Sequence, residues 1–280
     1  MEDFSPLVSA KWLYQHLNDK NLVILDASMK KSIITNQPTN LNEPTIPHSL
    51  YFDFEDVFID KKSTLPHMMP SPVDFENEVQ KLGINSDSLI IVYDRVGTYS
   101  SPRAWWMFRS MGHQNVFVLD GGLPAWLAEN YSTEPISLNK LQNGNFKAQQ
   151  KNSFFCDVLQ VENNLKNPMS IIVDARSERR FKGLDPEPRS GLRRGHIPKS
   201  INIPFGEIQL NGKMKNADEI KFVFNQKMPS NSKKIIFSCG SGVTACILAL
   251  GATIAKIEDI SVYDGSWSEW GLPSDRKIEI

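Results

Sequence analysis

The chain repeats itself. Val23-Ile24-Leu25-Asp26-Ala27-Ser28 is matched by Ile171-Ile172-Val173-Asp174-Ala175-Arg176, and Ile46-Pro47-His48-Ser49 by Ile197-Pro198-Lys199-Ser200. Leu89-Ile90-Ile91-Val92-Tyr93-Asp94 is matched by Lys234-Ile235-Ile236-Phe237-Ser238-Cys239, and Val118-Leu119-Asp120-Gly121-Gly122 by Val262-Tyr263-Asp264-Gly265-Ser266. The separations are 148 (Asp26 to Asp174), 151 (Pro47 to Pro198), 145 (Asp94 to Cys239) and 144 (Asp120 to Asp264). Order and spacing persist with small changes in loop length, as a duplicated domain requires. Most of the matched segments are short apolar runs ending in Asp or Cys, the pattern of strands buried on both faces. Helical segments lie between them: Ser71-Pro72 opens one that Gly83 closes, and another spans Ala217 to Gln226. Alternating strands and helices predict an α/β fold of two tandem domains, each with a mainly parallel sheet flanked by helices. The expected bounds are 8–135 and 161–280 with a linker over 136–160, since the segment from about Ser132 to Asn152, rich in Asn, Gln and Ser, reads as a connection.

Ligands of such sheets bind at the carboxyl ends of the strands. At that point the second half carries Cys239, followed by Gly240-Ser241-Gly242-Val243-Thr244-Ala245-Cys246 and a helix-forming stretch. Two glycines let the backbone turn tightly, loop amides point inward, and the positive end of the next helix lies beneath the sulfur. This setting favours a thiolate and predicts Cys239 as a nucleophile. Its counterpart in the first half is Asp94, which cannot perform thiol chemistry, so the first domain is expected to be catalytically silent and to supply one wall of a cleft. Cys246 falls inside the predicted helix and Cys156 in an apolar segment, and both are expected to pack in the core.

With 280 residues, a formal charge of −1, 40% hydrophobic and 22% charged residues, the composition is that of a globular protein of two modest domains. Nothing in it provides a basic field for nucleic acid or a polybasic tract for a membrane, and no apolar stretch is long enough to span one. Three cysteines without repeating spacing make no disulfide framework, and Met1-Glu2-Asp3-Phe4-Ser5-Pro6 has the character of neither a signal nor a transit peptide. A cytoplasmic protein is expected. The histidines have no metal-ligand spacing, and Trp105-Trp106 and Trp267…Trp270 are expected to pack in the core or between domains.

The loop excludes two rival chemistries. A cysteine-dependent phosphatase needs an Arg six positions after the nucleophile, where Ala245 stands, and a phosphate-binding P-loop needs Lys followed by Ser or Thr. Uncharged Gly, Ser and Thr donors suit an enolate oxygen or a persulfide sulfur. The segment Cys239-Gly240-Ser241-Gly242-Val243-Thr244 resembles the active-site loop of two-domain rhodanese-type sulfurtransferases, closest to the 3-mercaptopyruvate sulfurtransferases. Further matching blocks are Ser101-Pro102-Arg103-Ala104-Trp105-Trp106-Met107, Gly195-His196-Ile197-Pro198 and Tyr263-Asp264-Gly265-Ser266-Trp267-Ser268-Glu269-Trp270.

The resemblance implies tandem rhodanese-like domains, a persulfide on Cys239, pyruvate as product, and no metal or organic cofactor. It implies substrate contacts from Gly240, Ser241, Gly242, Val243 and Thr244. Arg180 and Arg189, at matching positions of Arg180-Phe181-Lys182-Gly183-Leu184-Asp185-Pro186-Glu187-Pro188-Arg189, become carboxylate ligands. His67 matches a histidine placed near the cleft, for a proton relay through Ser241 or for packing alone, and its acidic partner is left open between Glu55 and Asp56. Arg179, Arg193 and Arg194 read as surface or steering charges without an assigned role. The expected partners are a small-molecule sulfur donor and a thiol, dithiol-protein or cyanide acceptor. The alternatives are a thiosulfate-preferring enzyme, disfavoured by the uncharged Gly240-Ser241, and a persulfide-carrying module.

Overall fold

A computed structural model describes residues 5–31, 38–136, 142–229 and 234–280. Two compact units emerge. The first comprises Met1–Lys61, Met69–Lys151 and Asn211–Met214, and the second Lys62–Met68, Asn152–Leu210 and Lys215–Ile280.

In the first unit five parallel strands lie in the order Leu7–Val8, Val116–Leu119, Leu89–Tyr93, Leu22–Asp26, Ser49–Tyr51. In the second the order is Phe155–Cys156, Ile260–Tyr263, Ile235–Ser238, Ile171–Asp174, Ile201–Asn202, again all parallel. The two topologies are identical. The central strands are continuous β-branched and aromatic runs because helices cover both their faces, and Ile90 to Tyr93 and Ile235 to Ser238 are buried without alternation.

Local chemistry sets the helices. Ser71 Oγ accepts from the Asp74 amide to start Pro72–Lys81, and Gly83 follows its end at φ 71°. Asn216 and Glu219 form a capping box at the start of Ala217–Lys227. Ala245–Ile254, which follows Cys239, has no polar stripe and is buried from Ala245 to Ala252.

The duplication extends to single hydrogen bonds. His48 (φ 63°) and Lys199 (φ 60°) hold the same left-handed corner after Ile-Pro, and Ser49 and Ser200 hydroxyls each donate to the isoleucine carbonyl three residues back, at 2.7 and 2.6 Å. Just before each corner the chain bridges to the unit's own tail, Thr45 with Glu134 and His196 with Glu279. Trp126 and Trp270, buried in the two cores, donate their indole N–H to the carbonyls of Ser132 and Lys277.

One boundary differs from expectation. Part of the expected linker 136–160 belongs to the second unit: Phe155–Cys156 is an edge strand beside Ile260–Tyr263, and Asp157 caps the helix Val158–Lys166. These elements repeat Leu7–Val8, Ser9 and Ala10–His16. A two-residue strand is too short to show a period. Residues 137–141 of that linker lie outside the described residues.

Candidate functional site

Cys239 stands at the carboxyl end of Ile235–Ser238, the middle strand of the second sheet, and is 1% exposed. The stretch Gly265 to Ser268 anchors its loop from outside. Ser266 Oγ accepts from the Cys239 amide at 3.2 Å, the Trp267 amide donates to the Cys239 carbonyl at 3.0 Å, and Ser268 donates to the Gly240 carbonyl from its amide (2.8 Å) and hydroxyl (2.6 Å). The Cys239 and Gly240 carbonyls are thereby held by residues 267 and 268, and Gly242 turns the loop at φ 75°. Among the described residues, the amides of Gly240, Ser241, Val243 and Thr244 donate to no acceptor.

The equivalent loop of the first unit is filled by its own side chain. Asp94 Oδ2 accepts from the amides of Tyr99 (2.8 Å), Ser100 (2.9 Å) and Ser101 (2.9 Å) and from Ser101 Oγ (2.8 Å), while Oδ1 accepts from the Val96 amide at 3.1 Å. The carboxyl is fully buried, and burial raises its pKa against the pull of these donors. A cavity of about 280 Å3 opens beside this loop, lined in part by Ser28, Lys31, Asn40, Arg95 and Tyr99, but four loop amides there are already engaged by Asp94.

The cationic side of the Cys239 site is a ladder of alternating charges. Asp174, at the end of its strand, accepts from Arg176 Nε and Nη2, the latter at 2.6 Å. Arg176 Nη1 reaches Glu187 Oε1 at 2.8 Å, its Nη2 also donates to the Gly195 carbonyl, and its guanidinium lies 4.4 Å from the Trp267 ring centre. Glu187, its side chain 2% exposed, holds Arg180 through Nη2···Oε2 at 2.5 Å and Nε···Oε1 at 3.4 Å. Arg180 in turn stands over the loop: a Cβ on Gly240 would lie 3.2 Å from its Nη2. Burial works against the charge of Arg176, but Asp174 and Glu187 outweigh it and raise the pKa, with Cys239 contributing in the same direction.

The sequence reading missed Asp174, Arg176 and Glu187. A signal was present, because Arg176 replaces Ser28 in the repeat while Gly240 replaces Arg95. In the first unit Arg95 Nε pairs with Asp26 at 2.8 Å, so each strand-terminal aspartate keeps an arginine that arrives from a different position of the repeat.

The other predicted residues fall as follows. Arg189 is exposed on the loop that follows Glu187. Arg193 has a structural role beyond the surface, its guanidinium donating to the carbonyls of Trp270, Ser274 and Arg276, whereas Arg179 pairs with Asp185 at the surface. His67 belongs to the second unit and is buried, with Nδ1 3.1 Å from Ser241 Oγ and 3.4 Å from the Ser241 carbonyl. Glu55 accepts from the Lys30 amide and Asp56 pairs with Lys30 Nζ. The three cysteines are thiols outside any disulfide, and burial pushes Cys156 up to about 12. Among the described residues no group of three or more His, Cys, Asp or Glu forms a metal cluster, and no helix is long and apolar enough to cross a membrane.

The chain is similar to known proteins over nearly its whole length. The model of the rhodanese-like domain family matches twice, over residues 9–129 and 157–272. The 3-mercaptopyruvate sulfurtransferase of Escherichia coli K12 is 38% identical over 274 residues, covering 97% of each chain. A rat thiosulfate sulfurtransferase is 36% identical, covering 95% of this chain and 92% of its own. The crystal structure of SseA from Escherichia coli, described as a 3-mercaptopyruvate sulfotransferase, superposes with a TM-score of 0.84 at 36% identity, over 95% of this chain and all of that one. Two sheets of one topology, a cysteine loop in the second and a double family match over most of the chain place it in the rhodanese-like family, as a tandem of two such domains.

Proposed function

We propose that this protein is a sulfurtransferase that takes sulfur from 3-mercaptopyruvate onto Cys239 and passes it to a thiol, a dithiol protein or cyanide. The observation that carries the reading is the Cys239 loop, in which a thiol, four loop amides without an internal acceptor and a restrained guanidinium converge. The sequence relatives named for this activity support it. Three cysteines outside any disulfide support a reducing, cytoplasmic setting.

In the first half-reaction the Cys239 thiolate attacks the sulfur of mercaptopyruvate. A sulfur–sulfur bond forms, the carbon–sulfur bond breaks, and its electron pair passes into the enolate of pyruvate, which then takes up a proton at carbon. Loop amides stabilise the enolate oxygen or the sulfur left behind, as fixed donors beside a buried thiol. Arg180 and Arg189 hold the carboxylate, Arg180 from above Gly240 and Arg189 from the flanking loop. The hydrogen bond between His67 Nδ1 and Ser241 carries a proton to or from the loop. In the second half-reaction the acceptor attacks the outer sulfur and the Cys239 thiolate leaves.

Intact mass after brief exposure to 3-mercaptopyruvate tests this: one added sulfur atom, mapped to Cys239 and lost on addition of cyanide, is the expected result. No adduct, or an adduct confined to Cys156 or Cys246, overturns it. Thiosulfate carries its charge beside the transferred sulfur and calls for cations within the loop, so replacing Gly240-Ser241 by Arg-Lys should move donor preference toward thiosulfate.

A further inference from the structure

The guanidinium of Arg180 has three edges at which it can meet a carboxylate, and only some of them face the Cys239 loop. Its Nε and one N–H of Nη2 are taken by the two oxygens of Glu187. What remains is one N–H of Nη1 on the Cδ side and the outer edge, the other N–H of Nη1 beside the second N–H of Nη2. That edge faces the loop: the Cβ position of Gly240 is 3.2 Å from Nη2 and 4.0 Å from Nη1. Glu187 is itself held, because its Oε1 also accepts from Arg176 Nη1, and Arg176 is pinned by Asp174, the Gly195 carbonyl and the face of Trp267. The chain of contacts runs from a strand end of the sheet to the guanidinium above the nucleophile's loop. A long side chain with much rotamer freedom when unbound is thereby restrained before any ligand arrives.

We infer that Glu187 is a positioning residue for sulfur transfer, which clamps one edge of Arg180 so that the opposite edge is presented to the carboxylate of the donor. Glu187 does not touch the reacting atoms and acts through Arg180. The inference rests on the reading of Arg180 as a carboxylate ligand. It extends that reading by naming what fixes the arginine and which of its edges the donor meets.

A double-mutant cycle separates this role from general support of the fold. Glu187→Gln should lower kcat/KM for 3-mercaptopyruvate by about tenfold or more, chiefly through KM, because a mobile Arg180 must be ordered by the substrate. Cyanide discharge of sulfur already loaded on Cys239 should change less than about twofold, since the carboxylate has left by then. In an Arg180→Ala background the added Glu187→Gln should cost less than about twofold, because the residue it positions is gone. Effects that multiply across the cycle, or a single variant with unchanged KM, overturn the inference.

A second measurement needs no sulfur donor. In side-chain NMR of the arginines, Arg180 should show slow rotation about Cζ–Nε with separate Nη signals in the unmodified protein. These should merge in Glu187→Gln, while those of Arg176, still held by Asp174 and Gly195, stay apart. If Arg180 is equally restrained in both proteins, the clamp does not exist, whatever the donor of this enzyme proves to be. Failure of Cys239 to load sulfur, by contrast, refutes the proposed function and leaves the NMR result to judge the clamp.

Discussion

The Asp94 and Cys239 loops occupy the same place in two copies of one fold and bind different things. In the first unit a carboxylate of the chain itself accepts four backbone N–H groups and a hydroxyl, so the loop is a closed structural knot. In the second the anchoring bonds run to residues 266–268, and the amides of Gly240, Ser241, Val243 and Thr244 have no acceptor among the described residues. The counterions have traded places as well. Arg95 directly follows Asp94 and reaches Asp26, whereas in the second unit Arg176 serves Asp174, which leaves Gly240 without a side chain under Arg180. A single repeat thus yields one loop that satisfies itself and one that leaves four amides without an acceptor among the described residues.

The sharpest break of this comparison is a pair of substitutions at equivalent positions. Cys239→Ser should reduce sulfur transfer by about 10³-fold or more, as measured by pyruvate release, with an unfolding midpoint close to that of the unmodified protein. Asp94→Ala should do the reverse. Removing a buried acceptor from five donors should cost about 3–5 kcal/mol in urea unfolding, while turnover of the folded protein stays within about twofold. Loss of turnover from a folded Asp94→Ala protein refutes the silent-copy account.

Arg180→Ala tests the cationic side of the open loop. It should lower kcat/KM for 3-mercaptopyruvate by about tenfold to a hundredfold, the range of one charged hydrogen bond worth about 1.5–3 kcal/mol. Arg189→Ala, at an exposed position, should have the smaller effect of the two.

Cys156 repeats the position of Val8 and serves as a second thiol against which Cys239 can be judged. Burial raises Cys156 in the folded state to about 12 from an ordinary value of 9.0. The unfolded thiol ionises first as pH rises, so this group's contribution to stability is intact below about pH 9 and is lost between 9 and 12. At pH 10 the loss should be about 1.4 kcal/mol, seen as a steeper alkaline fall in the unmodified protein than in Cys156→Ala. At pH 8 iodoacetamide should leave Cys156 unlabelled.

The smallest effect concerns Gly240, which Arg95 replaces in the first unit. A methyl group there would meet the end of the Arg180 side chain at 3.2 Å, and a flexible guanidinium can yield by a few tenths of an ångström. Gly240→Ala should therefore lower kcat/KM about threefold, equivalent to roughly 0.7 kcal/mol. An unchanged value places Arg180 away from the donor.

Much of the molecule was legible in the chain because it depends on local order. Apolar runs ending in Asp or Cys mark the central strands, Ser71-Pro72 and Gly83 bracket a helix, and glycines beside a cysteine mark a tight loop between strand and helix. The edge strand Phe155–Cys156 was not legible, since two residues exist as a strand only through their register with Val262 and Tyr263. Arg193 read as a surface charge because nothing nearby in sequence announces the carbonyls of Trp270, Ser274 and Arg276 that it binds.

The sequence by itself determined that there are two domains of one topology, that only the second has a thiol at the strand end, and that no arginine within that loop can serve a phosphate. Those are properties of residue type and spacing. Only the tertiary structure decided that Asp94 fills its own loop, that His67 meets Ser241, and that Glu187 stands between Arg176 and Arg180. A buried ion is stable only where its partners converge on it in three dimensions, and those partners come from separate points along the chain.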